Sequence, residues 1–508
     1  MKRLKNTFLF VLFFVVPNLI YSQEITDLPL PRSVDSYADG DFGSLLKILL
    51  HRIQMEPLNI IATIIFICAI IHMFMARKLY DLAYRVDRKH RAANVISADA
   101  DEILSTHGEL RPVSFSAQIL YFLGEIEVIF MIWVIPLAAA ISIFYGWEIT
   151  SCYINSKSYA EPLLVVVIML ISATRPILSL ASKAMKYVAN LMGGSPMAWW
   201  LSILTLGPLL GSLITEPGAI TISAILLANQ FYRYNPTTKF AYATMGLLFV
   251  NISVGGVLTH FAAPPVLMVA RAWNWDTPFM LMNFGWKAVL GILISNSVYA
   301  IYFRKEFSKI KLTKLVQSHG DSLKHLKTEE HPTPLWISAV HIFMLYFTIR
   351  NEHYPVVFVG AFLLFLGFHQ ATRPYQSKVS LKPAILLGCF LSGLIIHGSL
   401  QGWWIDPILD RLSERTMLIS TVIMTAFNDN AAITYLSTFN TGFTPALRYA
   451  VVAGAVAGGG LTVMANSPNP AGQMLLKKFF HKGVAPLHLF LGALTPTLIQ
   501  VVIFTITA

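Results

Sequence analysis

Two short passages place acidic residues where acids are expensive. One reads Thr215-Glu216-Pro217-Gly218-Ala219-Ile220-Thr221, the other Asn428-Asp429-Asn430-Ala431-Ala432-Ile433-Thr434. Each has an acid, then two residues, then Ala-Ile-Thr, all inside apolar sequence. Each is followed by a second paired passage. After Glu216 comes Gly255-Gly256-Val257-Leu258-Thr259-His260-Phe261-Ala262-Ala263-Pro264-Pro265. After Asp429 comes Gly458-Gly459-Gly460-Leu461-Thr462-Val463-Met464-Ala465-Asn466-Ser467-Pro468-Asn469-Pro470. The chemistry these residue types support is the binding of a hard cation. Thr215, Ser253, Thr259, Asn428, Asn430, Thr462, Asn466, Ser467 and Asn469 offer neutral oxygens, and Glu216 and Asp429 offer charge. A buried carboxylate must be neutralised, by a proton or by a cation. One carboxylate then serves either sodium or a proton, and that competition couples their movements if the site alternates between faces. The plainer reading of Glu216 and Asp429 is a hydrogen-bonded turn residue, although an ionisable group within a membrane is a functional candidate by default.

Secondary candidates are Arg175, Glu125 and His260. Arg175, in Thr174-Arg175-Pro176, lies deep enough to need a partner, either Glu125 or Glu216, and a structural ion pair serves as well as a transport role. Glu125 and Glu127 are two residues apart, so on a helix at most one faces inward. His260 is read as a packing histidine or a proton carrier. His341 and His397 are read as structural, and Trp273, Trp275, Trp403 and Trp404 as an interfacial belt.

The elements that must hold these residues are membrane spans. Of 508 residues, 55% are hydrophobic and only 13% charged, where a soluble chain carries about a quarter charged residues. A span needs about 20 apolar residues. Spans are expected at 58–76, 117–137, 161–182, 286–303, 335–350, 355–370, 383–402 and 486–506. Residues 199–232 and 416–440 are expected as re-entrant hairpins tipped by Glu216 and Asp429. Residues 240–273 and 447–478 are expected as crossing segments. Gly255, Gly256, Pro264 and Pro265 break the first, and Gly459, Gly460, Pro468 and Pro470 the second. Gly255, Gly256, Gly459 and Gly460 also suit close helix packing. Irregular backbone at membrane depth survives only where protein or a cavity surrounds it.

The net charge of +11 comes with basic residues in short loops, such as Arg77, Lys78, Arg233, Lys239, Lys378, Lys477, His481 and Lys482. These read as cytoplasmic topology signals rather than a nucleic-acid surface. Residues 1–23 read as a signal peptide or N-terminal anchor, with basic Lys2, Arg3 and Lys5 before an apolar core. An external segment, 24–57, follows. The fold class expected is an all-α polytopic membrane protein of two inverted repeats, 58–303 and 335–508, joined by a cytoplasmic linker at 304–334. Each repeat has three spans, a hairpin, a broken span and a final span. A multi-pass protein of a bacterial-type inner membrane is expected, with lipid as its surroundings. No nucleotide-binding loop or catalytic motif is present, so neither a nucleotide nor a resident cofactor is expected. The reading is a transporter rather than an enzyme.

The hairpin tips and broken spans resemble those of the ion-transporter superfamily, which includes divalent-anion/sodium symporters, arsenite and citrate permeases and NhaD-type sodium/proton antiporters. Its members carry a broken helix of the form G-G-x-x-T-x-x-G-x-P-P-N. Gly255–Pro265 and Gly459–Asn469 are similar to it. The tips depart from the superfamily's neutral Ser-Asn-Thr pattern, being Thr-Glu-Pro and Asn-Asp-Asn here, and Val266 stands where the first asparagine would fall. Within the superfamily the chain looks most like the sodium/proton antiporters. That resemblance implies cation/proton exchange, of sodium or lithium, scaffold and transport domains, and a homodimer. The alternative it leaves is a sodium-coupled symporter of a dicarboxylate or other small anion, which Arg175 and the basic balance would suit.

Overall fold

The computed structural model describes residues 29–40, 42–98, 114–310, 333–377, 379, 381–440, 442–480 and 483–507, with side chains omitted for 91–98. The signal segment, most of the expected linker, and Lys378, His481 and Lys482 lie outside them. Among the described residues the chain is all helical, without a strand. It forms two compact units. One comprises residues up to 158 together with 393–404, the other 159–392 and 405–508.

The first unit contains α1 (Leu45–Met55), α2 (Leu58–Ala98), α3 (Phe115–Leu123) and α4 (Ile129–Asn155). Several of its buried polar groups are paired within it. Arg52 binds Asp39 and donates to the Trp403 carbonyl at 2.8 Å. Thr63 donates to Gln401 at 2.9 Å and accepts from the Trp403 indole. Asp39 lies before α1, outside the spans, and the Arg52 hydrogen bond holds its carboxyl below the ordinary carboxylate range. The span expected at 117–137 is interrupted at Gly124–Val128, and α4 runs on to Asn155 with a kink at Gly146 (φ 84°).

The second unit holds α5 (Ala160–Ser172), α6 (Arg175–Leu191), α7 (Pro196–Ile214), α8 (Glu216–Gln230), α9 (Thr238–Gly255), α10 (Pro264–Trp273), α11 (Thr277–Met280) and α12 (Trp286–Tyr302). It continues with α13 (Leu335–Arg350), α14 (Pro355–Ala371), α15 (Leu381–Gly398), α16 (Gly402–Leu409), α17 (Glu414–Phe427), α18 (Asn430–Ser437), α19 (Pro445–Gly458), α20 (Asn469–Leu476) and α21 (Pro486–Ile506). The ends of α15 and α16 that fall within 393–404 belong to the first unit. Helix starts follow local chemistry. Ser195 and Thr444 accept from the N–H groups of Ala198 and Leu447, and a proline sits next in each case, the arrangement that satisfies an otherwise orphaned donor at a helix start.

Among the described residues, seven helices are long and apolar enough to cross a membrane; α13, α14 and α19 are apolar but shorter. The straight span expected at 161–182 is instead the pair α5 and α6, bent by 67°. Pro176 has no N–H for the Ser172 carbonyl four residues back, so α5 ends there. Trp273, Trp275 and Trp403 are buried rather than outward-facing, with Trp275 stacked on Phe279 and the Trp403 indole donating to Thr63, while Trp404 is half-buried.

Proline also shapes α7 and α21 without ending them. Pro208 frees the Leu204 carbonyl, and Asn251 (2.9 Å) and Asn296 (3.2 Å) donate to it in place of the missing N–H. Pro496 frees the Gly492 carbonyl, which accepts from the Tyr299 hydroxyl at 2.7 Å. Because α7 carries the first acidic tip, the asparagine pair fixes where that tip sits. Asn251→Leu removes one donor and leaves the Asn296 carbonyl oxygen, which accepts from Asn251, unpaired. A loss of about 1–3 kcal/mol is expected, read as a lowered melting temperature of the purified protein in detergent.

Candidate functional site

The two acids sit at two differently built turns. Helix α7 ends at Ile214 and α8 begins at Glu216, so a single residue, Thr215, makes the connection at φ 64°. The helices then run back along each other. A Cβ on Gly207 would lie 2.1 Å from the Ser223 hydroxyl, and one on Gly211 would lie 3.3 Å from Ala219. Both pairs are equidistant in sequence from Thr215, which is the signature of an antiparallel hairpin, and the glycines permit its closeness. The second turn has two extended residues. Helix α17 ends at Phe427, Asn428 accepts from the Asp429 N–H at 2.9 Å, and α18 begins at Asn430. The Asp429 carboxylate accepts from the Ala431 N–H at 2.8 Å. It therefore caps a helix, where the exposed N–H groups favour an anion.

Each turn is braced against a broken helix by matching contacts. In the first, a Cβ on Gly255 would lie 2.5 Å from the Pro208 carbonyl oxygen, and Thr259 donates to the Ser212 carbonyl at 2.8 Å. In the second, a Cβ on Gly458 would lie 2.8 Å from the Val422 carbonyl oxygen, and Thr462 donates to the Ala426 carbonyl at 2.8 Å. The second glycine of each break faces a turn residue. A Cβ on Gly256 would meet Glu216 Oε1 at 2.6 Å, and one on Gly459 would meet the Ser253 hydroxyl at 2.2 Å and Asn430 Nδ2 at 2.8 Å. Contact by contact, then, the residue that takes Glu216's place at the second turn is Asn430. Asp429, which the Ala-Ile-Thr copies set opposite Glu216, falls one position earlier.

The turns also exchange partners. Helix α8 packs on α20, and α18 packs on α10. Asn466, in the second break, donates to Glu216 Oε2 at 2.8 Å. The Asn430 N–H donates to the Ala465 carbonyl at 3.0 Å, and its side-chain amide to Ser253 at 3.4 Å. Asn469 donates to the carbonyls of Gly459 and Thr462. Glu216, Asn430, Asn466 and Asn469 are all fully buried. In each, one oxygen has no hydrogen-bond partner: Glu216 Oε1 and the Oδ1 atoms of Asn430, Asn466 and Asn469. The amide nitrogens of the three asparagines donate, and these four oxygens are left over. A buried unpaired acceptor costs about 1–3 kcal/mol, and carboxylate and amide oxygens are the ligand type that hard cations take. The Asp429 carboxylate is buried too and close enough to act on Glu216 electrostatically.

A family profile described as "Putative Na+/H+ antiporter" matches residues 57–507. The chain belongs to this antiporter family. No curated protein matches it.

The other sequence candidates can be placed within this member of the antiporter family. The hydroxyls of Thr259 and Thr462 are committed to backbone carbonyls, as is that of Ser253, which donates to Val456. Thr215 lies 3.4 Å from the Ser172 hydroxyl, at the end of α5. Ser467 is half-buried beside Asn466. Pro264 opens α10, and Pro470 is the second residue of α20, preceded by Pro468, so the prolines restart the broken helices. Arg175 begins α6 and is half-buried; the hydrogen bond to Glu216 comes from Asn466 instead. Glu125 belongs to the first unit. His260 bonds Thr277 at 2.7 Å and Glu352 at 2.8 Å, on the wall of a cavity of about 260 Å³ also lined by Glu161 and Arg271. His341 and His397 bond backbone carbonyls.

Ser212 was not singled out in the sequence. Its hydroxyl donates to the Gly255 carbonyl at 2.6 Å and accepts from the Leu258 N–H at 3.1 Å, pinning the first break to the first hairpin. A hydroxyl four residues before a buried acid was its one signal. Gly256→Ala drives a methyl onto the Glu216 carboxylate. Overpacking of that kind costs about 1–3 kcal/mol, and sodium-driven exchange in proteoliposomes is expected to fall at least about tenfold.

Proposed function

We propose that the chain exchanges sodium or lithium for protons by alternating access, with Glu216 at the centre of the ion site. The observation that carries this reading is the set of four buried, unpaired oxygens on Glu216, Asn430, Asn466 and Asn469. One carboxylate and three amide oxygens suit an alkali cation. The same carboxylate is neutral when a proton takes the cation's place, so the two ions compete. Asp429, Asn428, Thr215, Thr259, Thr462 and Ser467 shape and charge the surroundings. The transported ions are the cargo.

In this reading the two halves, 58–303 and 335–508, are inverted repeats. Support comes from the paired contacts of Gly255 with Pro208 and Gly458 with Val422, and from the reciprocal packing of α8 on α20 and α18 on α10. The hairpins then re-enter the membrane from opposite sides. The basic loops lie in the cytoplasm and two copies associate, in an inner membrane of bacterial type, after a signal segment at residues 1–23. Anion symport fits less well, because the unpaired atoms on Glu216 and Asn430 are oxygen acceptors and the Glu216 and Asp429 carboxylates repel an anion.

The test is a pH dye sealed inside proteoliposomes. Sodium chloride alone is expected to shift the internal pH, and choline chloride is not. A shift that requires a dicarboxylate would replace antiport with symport.

A further inference from the structure

The contacts at the two breaks place a neutral side chain where the matching turn has an acid. Three pairs establish the register. Gly255 meets Pro208 and Gly458 meets Val422; Thr259 donates to Ser212 and Thr462 to Ala426; Gly256 meets Glu216 and Gly459 meets Asn430. In every pair the break residues differ by 203 positions (255 and 458, 256 and 459, 259 and 462) and the turn residues by 214 (208 and 422, 212 and 426, 216 and 430). Glu216 and Asn430 are also the first residues of their helices, α8 and α18. Both are fully buried, and each has one oxygen without a hydrogen-bond partner.

We propose that Asn430 is the residue that sets the charge class of the transported ion, by standing as the neutral counterpart of Glu216. This rests on the antiport reading above and adds to it the basis of monovalent selection. The unpaired oxygens carry one carboxylate among three amides. The neighbouring Asp429 has an oxygen occupied by the Ala431 N–H, and the positive end of α18 offsets part of its charge. A divalent ion is bound tightly where several carboxylates converge, because ligand charge sets affinity among oxygen sites. An amide at position 430 leaves the charge short of that. A carboxylate there would give each turn an acid in the same place.

Asn430→Asp tests this directly. The change is close to isosteric, and an acidic residue in the first turn of α18 favours the helix, so the variant is expected to fold. Melting temperature is followed in detergent against sodium, lithium, calcium and magnesium chlorides. Wild type is expected to be stabilised by sodium or lithium at lower concentration than by calcium. Asn430→Asp is expected to shift the sodium-over-calcium preference at least about tenfold toward calcium, and to lose sodium-driven exchange. Asn430→Ser keeps a neutral oxygen and is expected to stay monovalent-selective, with weaker affinity, a split that a purely structural role would not produce. An unchanged ratio in Asn430→Asp, or equal weakening of both ions, overturns the assignment while leaving antiport standing. A wild type that answers to no cation and moves no protons with sodium would overturn the antiport reading itself, and the assignment with it.

Discussion

Replacing Glu216 by glutamine is expected to abolish sodium/proton exchange while leaving the protein folded. Glutamine nearly matches glutamate in shape, and its carbonyl oxygen can accept the hydrogen bond that Asn466 now donates to Glu216 Oε2. The charge disappears, however, and with it the group that the proposal has trading a proton for a cation. A unit charge pair at about 4 Å is worth about 4 kcal/mol at the effective dielectric of a partly screened site, which corresponds to about a thousandfold in affinity. The glutamine N–H group then stands in place of Oε1, the oxygen that has no hydrogen-bond partner. Flux in proteoliposomes should drop to the level of empty vesicles, and the melting temperature should stay at or above that of wild type. Substantial residual exchange from well-folded Glu216→Gln would move the site elsewhere.

The second large effect is expected at Asp429, where two variants separate two roles. Asp429→Asn keeps a good helix cap, since asparagine and aspartate cap about equally well, and removes only the charge. Cation affinity should fall on the order of tenfold, because Asp429 acts on the same buried region as Glu216, with the melting temperature nearly unchanged. Asp429→Ala loses the Ala431 hydrogen bond as well and should cost a further ~0.5–2 kcal/mol of stability. If the two variants behave alike in both flux and melting, Asp429 has no separate electrostatic role.

Composition, periodicity and the Gly/Pro interruptions made the all-helical membrane fold legible, down to bounds such as 355–370 against α14 and 486–506 against α21. The breaks after Gly255 and Gly458 were legible because glycine and proline advertise themselves locally. The bend at Ala173–Thr174 was not read, although Pro176 marks it, because the flanking apolar run is long enough for one span. The pairing of Glu216 with Asn466, 250 residues apart, could not be read at all, since one sequence carries no record of which distant polar groups meet. The exchange of Asn430 for Asp429 as the match of Glu216 has a simple cause. The contacts keep one offset of 214 on both sides of the turn, whereas the Ala-Ile-Thr copies stand 213 apart, so aligning the copies sets Asp429 instead of Asn430 against Glu216. Ser212 and Asn251 were missed because a lone hydroxyl or amide in an apolar run has no signature until its partner, a carbonyl left over by a break or a proline, is in view.

The central claim is that a cation and a proton contend for the Glu216 carboxylate. It is tested most directly by adding sodium chloride to purified protein in weakly buffered solution with a pH indicator, near the midpoint pH of transport. Wild type should release protons on binding sodium, choline chloride should release none, and Glu216→Gln should be silent to both. Sodium binding without proton release from wild type, or release undiminished in Glu216→Gln, would contradict the account.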